Sequence, residues 1–202
     1  MCRLPNNAAI SENRICSIFG VSRSPVRTAL TRLVEDGVVD VFPQRGTFVA
    51  LIKLKQLKES QFVRTAIEIS LVREAARYWS PAHRAMAEAN IQVQRQHALQ
   101  GETWEFYADN EKFHALIAEA AGLKRIWTYI QGVKMVWGRI KHIANCVPVH
   151  VDKIISEHCA IIHDLNRNNK EAGALSMEAH MKSIDHAVDK LRPVHAHYFS
   201  DE

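Results

Sequence analysis

Residues 20–50, GVSRSPVRTALTRLVEDGVVDVFPQRGTFVA, read as a helix followed by a β-hairpin. Ser22 or Ser24 can cap the free amides at the start, and Pro25 falls in the first turn, where its missing N–H costs little. Val26, Leu30 and Leu33 recur at helical spacing and make one apolar face, with Val34 beside it. Arg23, Arg27, Thr28, Thr31 and Arg32 occupy the other faces. Gly37 is the expected stop. Residues 38–42 then have the composition of a strand, 43–46 that of a turn and 47–51 that of a returning strand.

A helix with a basic N-terminal end, followed by a hairpin with Arg45 and Gly46 at its tip, is the order of a winged helix-turn-helix. The helix start would enter the major groove, where arginines reach guanine edges and the helix dipole favours phosphate. The wing would offer its tip to the backbone or the minor groove. Spacing alone leaves a solvated amphipathic helix beside an ordinary hairpin equally open. The residues go further. GVSRSPVRTALTRLVEDGVV, with QRGTFV behind it, closely resembles the GntR family of bacterial transcription regulators. The DNA-facing set on this reading is Arg14, Ser22, Arg23, Ser24, Arg27, Thr28, Arg45 and Gly46.

Composition agrees without deciding anything. A formal charge of +4 and a pI of about 8.9 suit nucleic acid but would suit many other partners. No apolar run has the length of a membrane span and no signal peptide opens the chain, so no membrane role is expected. The four cysteines, at 2, 16, 146 and 159, form no CxxC pair and read as reduced thiols of a cytoplasmic protein. The eleven histidines all lie beyond residue 80.

In chain order, residues 11–19 are expected to form a short helix opened by Ser11, with Ile15 and Ile18 or Phe19 facing the core and Gly20 turning into the next helix. The family resemblance extends here through Ile10-Ser11-Glu12, with two departures. Asn13 stands where the family has a basic residue, a role Arg14 can take. Only nine residues precede Ile10, where the family has a whole helix, so either the chain starts late or the head lacks a packing element and exposes core surface. The domains expected are a head over 1–52, a linker over 53–58 solvated by Lys53, Lys55 and Lys58, and a helical domain over 59–202. Helical patterns run over 59–79, 82–99 (polar, on the outside), 102–121, 123–144, from Pro148 to about 165, and from an Asn168 or Asn169 cap to 191. No strand is expected after residue 52. The fold class is mainly α: a winged helix-turn-helix followed by an antiparallel all-helical bundle.

Residues 63–68 (VRTAIE), Phe113-His114 with residues 118–122 behind them, and Glu157-His158 resemble the FadR-type C-terminal domain, called FCD. That resemblance implies a helical domain that binds an effector, dimerises and controls the heads. Asn110 and His114 are four apart, one turn of the same helix face. His158 and His180 come from the last two helices and can converge on them. Many FCD domains hold a divalent metal with an Asp or Asn, a His four residues on and two later histidines, which implies Asn110, His114, His158 and His180 here. Three imidazoles leave positions open for water or a ligand and suit zinc or nickel. Without the resemblance, buried histidines satisfied by polar neighbours would be the reading.

His163 and His186 lie off the faces of His158 and His180. His83, His97, His142, His150, His195 and His197 read as solvated. Trp104, Trp127, Trp137 and Tyr129 read as core aromatics. Arg64, Lys134 and Arg139 are candidates to clamp an effector carboxylate, a salt bridge to Glu68 or Glu119 being equally open to each. The function expected is a dimeric, metal-containing repressor that binds an inverted-repeat operator and responds to a small organic acid. A hydrolytic metalloenzyme is the competing class; against it, Glu111 is on the wrong side of its helix and Glu157 is expected to face away, so no general base stands ready. A direct metal sensor is the third.

Overall fold

The computed structural model describes residues 7–133, 137–140 and 151–201. In the head, α1 spans Glu12–Phe19 and α2 spans Arg23–Glu35. Ser11 caps α1 by accepting from the Arg14 amide at 3.3 Å, and Gly20 closes it at φ +64°. Ser22 occupies the cap position of α2 without a side-chain hydrogen bond. Gly37, at φ +69°, ends that helix: its amide donates to Val34 O at 2.9 Å and the Val38 amide to Leu33 O at 2.9 Å. The hairpin follows as β2, Val39–Phe42, and β3, Gly46–Val49, paired so that Phe42 faces Gly46.

Two features of the head depart from expectation. A strand β1, Ala9–Ile10, adds to the far edge of β3, giving the order β1-β3-β2. Ile18 and Phe19 do not face a core; they are 62% and 72% exposed, while Val26 and Leu30 of α2 are buried.

The bundle starts earlier than its sequence pattern suggests. Residues 54–58 are the first turns of α3, Leu54–Tyr78, which directly follows a short strand β4, Ile52–Lys53. Leu57 is buried while Lys55 and Lys58 are exposed, so the lysines mark the wet side of a helix. Next come α4 (Pro81–Gln100), α5 (Thr103–Ala120), α6 (Lys124–Val133), helical residues 137–140, α7 (Val151–Asn166) and α8 (Lys170–Val194). Ser80 caps α4 with Pro81 in the first turn, and Asn169 caps α8 at 3.1 Å from the Ala172 amide. Helix α8 continues through Pro193. A short 3₁₀ turn, Ala196–Tyr198, then leads to β5, Phe199–Ser200, which pairs in parallel with β4; it is a strand that the alternation of residues does not announce.

Helix α8 packs along both α3 and α7, and α4 along α5 and α7. The main core includes Val72, Phe106, Phe113, Ile161 and Met181, all essentially solvent-free. Each such side chain contributes roughly 1.5–3 kcal/mol on leaving water. Helix α4 is not merely an outer helix, since Ala87, Ile91 and Gln94 are buried. A smaller apolar cluster at the junction with the head joins Ile52, Leu57, Trp137, Val188, Leu191 and Phe199. Trp104 and Tyr129, expected in the core, are 45% and 63% exposed. No helix of the described residues is long and apolar enough to cross a membrane.

Candidate metal centre and DNA-facing surface

Because α5, α7 and α8 meet with α3 behind them, His114, His158 and His180 come together in the interior. All three are buried, and a nitrogen from each lies within 4.8 Å of the others. The Nε2 atoms of His114 and His180 are 3.3 Å apart. The Nδ1 atoms point outward, each to its own partner. His114 Nδ1 pairs with Glu68 Oε2, His158 Nδ1 lies 3.1 Å from Gln94 Oε1, and His180 Nδ1 lies 2.8 Å from Glu157 Oε2. An oxygen acceptor at Nδ1 keeps the proton there, so the Nε2 lone pair is left facing the common point. His158 Nε2 is buried with no hydrogen-bond partner. The donor set, the outer partners and this orphaned nitrogen together fit a divalent metal ion.

The rings are also held by packing. Phe113 stacks on His158 with centroids 3.9 Å apart, and Trp127 lies parallel to His114 at 6.0 Å. Glu68 ties the site to α3, bonding Arg64 Nε through its other oxygen, and both members of that pair are buried. Burial alone would raise the Glu68 carboxyl, but the Arg64 guanidinium and the His114 ring hydrogen-bonded to it outweigh burial and hold it well below the ordinary carboxylate range. Burial pushes His158 well below the usual imidazole range, helped by its neighbours His180, His114 and Arg64. Burial lowers His180 as well, with Glu157 opposing.

These shifts give the metal-free protein a defined pH dependence. Above the ordinary value of 6.5, His158 and His180 are neutral in both the folded and the unfolded chain, and their contribution is intact. Below it the unfolded chain takes up protons that the folded chain refuses, so stability falls as pH falls from there toward the folded values. Denaturant midpoints of chelator-treated protein between pH 7.5 and 5 are expected to drop accordingly. His158→Gln should flatten the slope, and a pH-independent midpoint would contradict the assignment.

Of the other expected site residues, Asn110 is buried one turn before His114. Arg64 is buried beside the cluster. Lys134 lies outside the described residues. Arg139 has a different use from the one expected: it donates to the carbonyl oxygens of Leu51, at 3.4 Å, and Ala50, at the junction with the head. Asp109 faces α4, paired with His97 at 2.7 Å and with Lys112 at 2.7 Å, so His97 is not simply solvated. Glu157 does not face away, because it supports His180 and accepts from Ser183 at 3.0 Å. His163 is exposed and stands apart from the centre. The outer partners Gln94 and Glu157 were not expected, and only the four-residue spacing of Arg64 and Glu68 pointed to the third.

In the head, Arg14, Ser22, Arg23, Ser24, Arg27, Thr28, Arg45 and Gly46 are all exposed. Most of them cluster at the start of α2 and the wing tip. Arg45 lies over the Phe42 ring, 5.5 Å from its centroid, and Gly46 has φ +111°, so the tip is tightly turned. Arg27 Nε lies 3.0 Å from Glu12 Oε2, which presets that guanidinium at the interface of α1 and α2.

A winged helix-turn-helix carried on a helical bundle with a buried histidine centre defines a two-part bacterial transcription regulator. The chain belongs to the FCD-domain family, matched over residues 59–183, and its head, residues 3–49, matches the gntR family of bacterial regulatory proteins. It is similar to the HTH-type transcriptional repressor RspR of Escherichia coli (strain K12), 27% identical over 201 residues covering 100% of this chain and 88% of that protein. A probable D-xylose utilization operon transcriptional repressor of Paenarthrobacter nicotinovorans is 28% identical over 198 residues, covering 96% and 82%. The solved structure of E. coli McbR/YncC shares the fold, with a TM-score of 0.76 at 20% identity, covering 93% of this chain and 90% of that one. The chain is thus a transcription regulator with a DNA-binding head and an effector domain, and not an enzyme.

Proposed function

We propose that the chain is a repressor that binds operator DNA as a two-fold dimer and is controlled by a small carboxylate at the histidine centre. The observation that carries this reading is the convergence of three imidazoles whose outward nitrogens are each committed to an acceptor. A bound zinc or nickel ion would supply positive charge and open coordination positions for an anionic oxygen. His114, His158 and His180 would hold it, with Asn110 or water completing that side, and Arg64 would face the acid. Trp127 and Phe113 would keep water out. The acid can shift DNA binding only through different affinities for two arrangements of the heads. Two coupled heads on an inverted repeat make enough contacts for specific binding, which a single small head does not.

The test is a titration of zinc or nickel, then of candidate acids, into binding of a DNA fragment selected by the purified protein from a random pool. A response to acid that requires metal supports the reading. A response to metal alone would make the ion itself the signal, and no response to either would refute the reading. In the same assay, Arg23→Ala and Arg27→Ala should each cost roughly 1–3 kcal/mol if they read bases. A phosphate contact would instead weaken all sequences and flatten the salt dependence. Unchanged affinity in both variants would remove α2 from the DNA interface.

A further inference from the structure

Three buried polar atoms around the histidine centre lack a hydrogen-bond partner: Gln61 Oε1, Arg64 Nη2 and His158 Nε2. Gln61 and Arg64 are three residues apart on α3 and therefore share a face. Gln61 Nε2 donates to the carbonyl of Met181, the residue after His180, at 2.7 Å. That bond fixes which way the amide is turned: its nitrogen is used, and the atom left over is an acceptor. Arg64 offers the opposite, a guanidinium N–H with nothing to receive it, while its Nε is occupied by Glu68.

We propose that Gln61 is a specificity-determining residue of this same site, selecting effectors that carry a hydroxyl next to the carboxylate. The inference rests on the carboxylate reading above and adds the second group of the ligand. An anionic oxygen satisfies Arg64 Nη2 but does nothing for Gln61 Oε1. A plain carboxylate and a 2-keto acid present only acceptors, so either would leave the amide oxygen buried and unpaired. An amino acid has a donor, but its ammonium would sit beside the Arg64 guanidinium and the ion-binding imidazoles, where like charge opposes it. The neutral O–H of a 2-hydroxy acid supplies the donor without that charge. A site with a buried acceptor for a ligand hydroxyl discriminates against analogues lacking it, because the acceptor is then stranded.

The full-length protein loaded with zinc is titrated calorimetrically with each enantiomer of lactate, with pyruvate and with propionate, and then with malate and succinate. Lactate and pyruvate are close in size and both offer two oxygens to a metal, but only lactate has the O–H. The tighter lactate enantiomer is expected to bind at least roughly fivefold better than pyruvate, the scale of a stranded buried acceptor. Malate should exceed succinate in the same way. Gln61→Met should bring lactate and pyruvate within about twofold of each other while the protein keeps its zinc. If that variant is unstable because Met181 O loses its donor, the comparison of lactate with pyruvate and of malate with succinate in the unmodified protein decides the proposal. Equal binding of lactate and pyruvate by the unmodified protein would overturn the proposal, as would a preference that survives in the variant. If no acid binds the zinc-loaded protein, the carboxylate reading itself fails and this proposal with it.

Discussion

His158→Ala is expected to abolish stoichiometric zinc or nickel in the purified protein. His158 is fully buried, stacked by Phe113 and anchored by Gln94. Removing it leaves two imidazoles from α5 and α8, too few for a closed set of donors on that side. The loss should exceed the roughly 10–100-fold that outer partners of metal ligands are worth. Metal analysis after dialysis, with circular dichroism to confirm that the helices persist, checks it. His163→Ala, at an exposed side chain outside the cluster, should keep its metal. Full metal content in both His158→Ala and His114→Ala would leave the buried-histidine reading in place.

Glu68→Ala should be the most destabilising single change at the centre, at about 3–5 kcal/mol. Its carboxylate is the shared partner of Arg64 and His114, and all three side chains are out of water. Truncation strands a buried guanidinium and frees the His114 ring, a ligand on the reading proposed above, at the same time. By contrast, exposed pairs such as Arg84–Glu88, at 2.8 Å, are worth about 0–1 kcal/mol. Chemical denaturation of the metal-free protein measures the first effect, and metal affinity the second. The paired change Arg64→Met with Glu68→Leu should recover much of the stability, because it removes both charges together, but none of the metal affinity. A loss under 1 kcal/mol in Glu68→Ala would mean that the pair is solvated.

The parts of the fold that could be read from the residues are those punctuated locally. Pro25, Gly37 and the turn at residues 43–46 set the ends of α2 and the hairpin within a few residues of themselves. Strands β1 and β5 were not legible, since each is only two residues long and exists through its partner, Phe48 for Ala9 and Ile52 for Phe199. The lysines at 53, 55 and 58 suggested a solvated connector, but Leu57 on the opposite side makes the same stretch an amphipathic turn. The centre divides in the same way. Asn110 and His114 are a local pair, whereas the approach of His158 and His180 is a property of helix packing, and it was foreseen through family resemblance. Gln94 was hidden in a helix rich in polar residues, most of which do face water.

The pairing of β4 with β5 has a consequence for how the protein is made. Ile52 waits for Phe199, 147 residues later, before the junction can close. Synthesis is vectorial, at roughly 5–20 residues per second, so the head leaves the ribosome well before that partner strand does. Contacts of such long range are the slow ones to form. During that interval the Ile52 side chain lacks the Phe199 partner it has in the folded chain. The seam between the two parts therefore sets only once a strand made 147 residues after Ile52 is in place.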